Sequence, residues 1–219
     1  GQLTSLINLS LSSNELSGEI PENICNLTLD FNEYNFRTEK IMRPIHPKVT
    51  ELISGKRLLI TGASGYLASN LASFLKDIPC EIRRLSRKLE LPPVQGVALY
   101  EDLHGDIRDP SVWEKAMKEV DVVFHFAAQT SVYVAENDPI ADYQANVLPM
   151  LLMLEASKNN GKQSDVIFAG TSTTVGLPSE VPVNETFSDH PITIYDTHKL
   201  IAEIYLKQYA RQGFIRGTT

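Results

Sequence analysis

Tyr195 and Lys199 stand one helical turn apart in Tyr195-Asp196-Thr197-His198-Lys199. Side chains at that spacing share one face of a helix. An ammonium beside a phenol stabilises the phenolate and lowers the tyrosine pKa toward working pH. Such a tyrosine can take a proton from a substrate hydroxyl while hydride leaves the same carbon. Upstream, residues 165–169 read as a strand running into Gly170-Thr171-Ser172-Thr173-Thr174-Val175-Gly176. Thr171 then sits at a strand's C-terminal end, where ligands bind in open α/β sheets. Its hydroxyl can hydrogen-bond the reacting oxygen, and Ser172 takes that place if the loop register moves by one. A bare Y-x-x-x-K arises often by chance, so its meaning depends on the elements around it.

Those elements begin with Leu58-Leu59-Ile60, an apolar strand that enters Thr61-Gly62-Ala63-Ser64-Gly65-Tyr66-Leu67-Ala68. This is G-x-x-G-x-x-A at a strand-to-helix junction. Gly62 permits the tight turn, Gly65 lets backbone approach a pyrophosphate, and Ala68 lets the helix pack on the strand. Ser64, Gly65, Tyr66 and Leu67 open a helix whose N–H groups and positive dipole end face the phosphates. A dinucleotide cofactor follows from that placement. Its selecting residue belongs at the end of the second strand, in Arg83-Arg84-Leu85-Ser86-Arg87-Lys88. No carboxylate stands there to grip a ribose 2′-hydroxyl. Ser86 and Arg87 do, and an arginine there pairs with a 2′-phosphate, which favours NADP over NAD. Asp106, in Gly105-Asp106-Ile107, can accept from an adenine amino group. His125-Phe126-Ala127-Ala128 ends the fourth strand, where small residues admit a ribose and the nicotinamide. His125 itself reads as a packing residue. Lys199 can also bond the nicotinamide ribose.

Strand-like and helix-like runs alternate from Lys56 on. Strands are expected over 57–61, 80–85, 97–103, 121–126 and 165–169. Helices are expected over 66–76, 110–119, 141–158 and 195–211. That order predicts a parallel sheet with helices on both faces. The 219 residues are 42% hydrophobic and 21% charged, which excludes disordered, collagenous and coiled-coil classes. A net charge of −7 argues against a broad nucleic-acid or anionic-membrane surface. No apolar run approaches the ~20 residues of a membrane span. Cys25 and Cys80 make neither a disulfide framework nor a metal cluster and read as buried small side chains.

Residues 1–29 have another texture. Leu3, Leu6, Leu9, Leu11, Asn14, Leu16, Gly18, Ile20, Pro21, Ile24 and Leu27 resemble one plant-type leucine-rich repeat. One repeat cannot bury its own core, and roughly three are needed. Residues 30–55 read as a linker with a short helix over 48–53 that Gly55 ends. The chain begins at Gly1 without a signal-peptide pattern and ends after a helix without a closing element. It reads as a piece of something longer at both ends.

From residue 56 to 219 these motifs together resemble the extended branch of the short-chain dehydrogenase/reductase superfamily, which holds nucleotide-sugar epimerases, dehydratases and reductases. Asn146-Val147 in the long helix belongs to the same set. The resemblance implies a Rossmann-type doubly wound parallel sheet, here with a leucine-rich appendage. It implies Tyr195 as acid/base, Lys199 as its partner, Thr171 as third member and Asn146 on the active-site side of its helix. It implies NADP or NAD as cofactor, a nucleotide-sugar substrate, and a homodimer formed through a helix bundle that includes the Tyr195 helix. A cytoplasmic enzyme without nucleic-acid or membrane partners is expected. Dehydratases of this branch follow the catalytic Ser/Thr with an acidic residue. Ser172 and Thr173 stand there instead, which favours an epimerase or keto-reductase. The substrate-binding lobe is absent, so poor turnover is expected of this chain. The competing reading makes residues 1–29 a protein-recognition module beside an inert cofactor half, and a fusion of two unrelated pieces is a third.

Overall fold

Continuous apolar runs require burial on both faces, and the chain provides it by stacking strands in parallel between helices. In a computed structural model, residues 47–184 and 186–219 are described. The leucine-rich segment, Cys25 and the linker up to residue 46 lie outside the described residues. The expected short helix is α1 (Pro47–Ile53), followed by Gly55 at φ +72°.

Six strands follow: β1 (Arg57–Thr61), β2 (Glu81–Ser86), β3 (Leu99–His104), β4 (Val122–His125), β5 (Ser164–Phe168) and β6 (Ile215–Thr218). They form one parallel sheet in the order β3-β2-β1-β4-β5-β6. β1 and β4 are neighbours with their chain connections running to opposite sides. That reversal opens a crevice at their C-terminal ends, the usual ligand position in this architecture. Between the strands run α2 (Tyr66–Phe74), α3 (Pro110–Ala116), α4 (Val132–Asn137), α5 (Pro139–Asn146), α6 (Leu148–Lys158) and α7 (Ile194–Arg211). The core joins Leu59, Leu85, Val123 and Val166 of the sheet to Trp113, Met150, Leu154 and Leu206 of the helices.

Helix starts follow local chemistry. Asp109, Ser131, Asp138 and Thr193 each accept a backbone N–H as N-caps of α3, α4, α5 and α7. Two expectations need correction. The helix expected over 141–158 is two helices, because Pro149 has no N–H to continue the ladder and instead starts α6. A strand does follow α7, since β6 pairs in parallel with β5. α4, which carries exposed Val132, Tyr133 and Val134, has no counterpart in the sequence reading.

Candidate active site

The crevice is built from the β1 and β4 ends. Thr61 Oγ1 accepts the N–H groups of Phe126 and Ala127 at 3.1 and 3.0 Å. With both acceptor positions used, its proton goes to His125 Nδ1, 3.0 Å away. The imidazole is thereby assigned as the Nε2–H tautomer. His125 packs between Trp113 and Phe168, and burial, with the Lys199 charge adding to it, holds its pKa down at about 3. It is a neutral packing histidine, as expected.

Gly62 adopts φ +66°, and a Cβ there would lie 2.9 Å from both N and Cα of Ala127. Only glycine allows the two loops this approach. Gly65 N–H donates to the Gly62 carbonyl at 2.7 Å, and Gly65 caps α2 without a side chain. Ala68 is buried against the sheet, whereas Ser64, Tyr66 and Leu67 are exposed. A side-chain-free cradle at a helix N-terminus fits the diphosphate of a dinucleotide.

Around the adenine end, Ser86 is buried and accepts the Lys88 N–H at 3.0 Å. Arg87 is exposed, and its carbonyl meets His104 Nε2 at 3.0 Å. Asp106 takes Arg108 Nη2 at 2.7 Å and Nε at 3.0 Å, and this pairing holds its carboxyl below the ordinary range. The Ile107 carbonyl accepts the Trp113 indole N–H at 2.7 Å. The basic run Arg83–Lys88 divides in two. Arg83 turns inward and donates to the carbonyls of Lys115, Ala116 and Lys118 at 3.1, 2.8 and 3.1 Å. Arg84 clasps both oxygens of Asp102 at 2.7 Å. These two guanidiniums are structural, and Arg87 and Lys88 carry the exposed charge.

At the β5 end, Thr171 caps a short 3₁₀ turn (Ser172–Val175). Lys199 is 4% exposed; its ammonium donates to the Ala169 carbonyl and lies 4.0 Å from the centre of the Phe168 ring. Burial lowers its pKa to about 8, with Asp142 and Glu203 opposing. The expected lowering of the Tyr195 pKa is corrected. Burial raises it, and the charges of Asp196 and Asp142 act in the same direction. Asn146 accepts the Gln129 N–H and donates to the Gln129 carbonyl, both at 3.0 Å, so it clamps the loop after β4.

Two carboxylates escaped the sequence reading. Asp142, fully buried, accepts Gln129 Nε2 at 2.6 Å, Asn146 Nδ2 at 2.9 Å and His198 Nδ1 at 2.6 Å. Asp196, 2% exposed, accepts the hydroxyls of Thr173 and Thr193. The one available signal was position: Asp142 one turn before Asn146, Asp196 next to Tyr195. Among the described residues no group of His, Cys, Asp and Glu is arranged to hold a metal, and no helix is long and apolar enough to cross a membrane. Cys80 is buried, and that burial pushes its thiol pKa up.

The topology gathers Gly62, Phe126–Ala128 and the β5 end with Thr171 and Lys199 at one edge of the sheet, and sets Ser86, Arg87 and Asp106 beside them on the β2 and β3 side. The model of the NAD dependent epimerase/dehydratase family matches residues 58–219. The chain belongs to this family. Within the NAD dependent epimerase/dehydratase family it is 30% identical over 170 residues to UDP-glucose 4-epimerase of Rhizobium leguminosarum bv. trifolii, covering 75% of this chain and 50% of that one. It is also 30% identical to D-erythronate dehydrogenase of Cupriavidus necator, over 73% of this chain and 52% of the relative. The crystal structure of UDP-glucose 4-epimerase from Brucella ovis in complex with NAD superposes with a TM-score of 0.66 at 29% identity, covering 74% of this chain and 50% of that one. The chain spans about half the length of the curated relatives it matches.

Proposed function

We propose that this chain is the cofactor-binding part of an NAD(P)-dependent epimerase or oxidoreductase acting on a hydroxyl or ketone of a nucleotide-activated sugar. The observation that carries the reading is the approach of Gly62 to Ala127 at the β1–β4 crevice, which leaves backbone alone to line a diphosphate and ribose. Gly62, Ser64, Gly65, Tyr66 and Leu67 surround the diphosphate in this reading. Asp106 and Ile107 meet the adenine, and Phe126, Ala127 and Ala128 flank the nicotinamide ribose. A bound nicotinamide supplies hydride acceptance and return. Tyr195 exchanges the proton of the substrate hydroxyl at its phenol oxygen, and Thr171 holds the same oxygen. Lys199, tied to the Ala169 carbonyl two residues before Thr171, fixes α7 against the end of β5 and reaches toward the nicotinamide ribose. Asn146 keeps the Gln129 loop in place beside them.

The sugar-nucleotide class rests on the family and on relatives named as UDP-glucose 4-epimerases. The exposed apolar side chains Val132, Tyr133 and Ile140 on α4 and α5 support a homodimer that pairs helices. Exposed Arg87 beside buried Ser86, with no carboxylate in their place, supports a preference for NADP. Fluorescence titration of the purified chain with NADH and NADPH tests the reading. Saturable binding of both is expected, tighter for NADPH, with Arg87→Ala weakening NADPH alone. Binding of neither nucleotide overturns it.

A further inference from the structure

Asp196 occupies the third position of α7, immediately after Tyr195. Both its carboxylate oxygens are engaged. Thr193 Oγ1 donates to Oδ2 at 2.7 Å and accepts the Asp196 N–H at 3.1 Å. Thr173 Oγ1 donates to Oδ1. A threonine hydroxyl owns one proton, so that of Thr173 is committed to Asp196. Thr171 Oγ1 stands 2.7 Å from Thr173 Oγ1. The proton between these two oxygens therefore belongs to Thr171. The Thr173 N–H lies 3.4 Å from Thr171 Oγ1, which leaves Thr171 one lone pair for a ligand and no proton to give.

We infer that Asp196, acting through Thr173, sets Thr171 as a hydrogen-bond acceptor, so that the site favours the alcohol form of its substrate over the ketone. The statement about substrate rests on the proposed function; the direction of the hydroxyl chain does not. In the bound ground state an alcohol O–H donates to Thr171, and it turns to Tyr195 when its proton is taken; a ketone oxygen finds only a lone pair at Thr171. Thr173 and Asp196 are positioning residues, and Thr171 is the group that meets the substrate. Replacing the carboxylate by an amide reverses the chain. The Nδ2–H of an asparagine at 196 donates to Thr173, Thr173 donates to Thr171, and Thr171 turns its proton outward.

Neutron diffraction from crystals of the full chain exchanged into D₂O tests the direction without any cofactor. Deuterons are expected on Thr171 pointing to Thr173, and on Thr173 pointing to Asp196. A deuteron on the Asp196 carboxyl, or one on Thr173 aimed at Thr171, overturns the inference. The functional arm mixes the full chain with NAD and UDP-glucose and reads the absorbance of reduced nicotinamide. Each reduced cofactor there matches one alcohol oxidised to a ketone, with hydride passing to NAD and the hydroxyl proton to solvent by way of Tyr195. Asp196→Asn and Thr173→Val should each raise the reduced share roughly two- to tenfold, the scale of one hydrogen bond. Thr173→Ser should restore the wild-type share, which a merely structural role would not require. An unchanged share in both variants, with NADH binding intact, overturns the preference for the alcohol. If the wild-type chain binds no NAD, the proposed function fails while the deuteron positions still decide the direction.

Discussion

Gly62 and Ala127 meet so closely that a single added methyl would lie 2.9 Å from two backbone atoms. Gly62→Ala forces that contact and also places an L-residue at φ +66°, where the backbone cost alone is about 1–2 kcal/mol. Urea unfolding should show a loss of at least about 1 kcal/mol. NADH titration should show cofactor affinity falling by more than Gly55→Ala causes, because Gly55, at φ +72°, has open space around it. Equal losses of affinity at the two positions would mean that the Gly62–Ala127 crevice does not hold the cofactor.

Tyr195→Phe deletes one oxygen from a half-buried ring. If the phenol is the proton carrier, turnover should drop by about 10²-fold or more, while NADH affinity stays within a factor of two or so of wild type, a bound set by the absence of any backbone change. Stopped-flow assays with UDP-glucose and equilibrium titration separate the two quantities. Full activity in the variant would reassign the acid/base.

Lys199 gives a pH signature. Its folded pKa of about 8 lies below the unfolded value of 10.5, so the unfolded chain binds the extra proton between those limits. Stability attributable to this residue therefore rises as pH climbs from about 8 to about 10.5, by a total on the order of 3 kcal/mol. The raised tyrosine pKa values of Tyr195, Tyr209 and Tyr100 work in the opposite sense from about pH 10 upward. The measurement is accordingly a difference: urea midpoints of wild type minus Lys199→Met, at pH 7.5 and pH 9.5. A difference that does not grow with pH contradicts the burial of the ammonium.

His125 carries the complementary signature on the acid side. With a folded pKa of about 3 against 6.5 unfolded, stability is lost progressively as pH falls below 6.5. The imidazole carbon resonances of His125 in the folded protein should stay flat between pH 8 and pH 4.5. His125→Phe should flatten part of the acid loss while costing the Thr61 hydrogen bond. Titration of His125 itself near 6.5 in the folded chain would mean that its Nδ1 does not accept from Thr61.

Much of this architecture could be read from the residues. Leu58-Leu59-Ile60 are fully buried and Val122-Val123 nearly so, with Phe124 partly covered; these runs announce themselves as central parallel strands, and the glycine turn after Thr61 locates the crevice. What escaped was decided by tertiary context. The helical stripe continues through Val147 and Pro149, so periodicity alone joins α5 to α6. α4 turns Val132, Tyr133 and Val134 outward and lacks the buried stripe that reveals a helix. β6 is four residues long and includes Gly217, too brief for alternation to register. The hydroxyls of Thr171 and Thr173 look interchangeable with Ser172 until α7 brings a carboxylate to one of them. The pairing of Lys199 with Tyr195 was inferred from spacing. The carbonyl of Ala169, which holds the ammonium, lies thirty positions away and has no sequence signature.

Arg83 sits in the middle of β2 yet closes three carbonyls at the end of α3 with one Nη1. A strand and a helix from separate crossovers are thus latched by a single planar group. Amide exchange should therefore report them as one cooperative block, with α3 unable to fray without exposing a buried cation. Lysine, with its compact ammonium and lacking the guanidinium's planar fork, is not an equivalent latch, so Arg83→Lys should let the end of α3 exchange on its own.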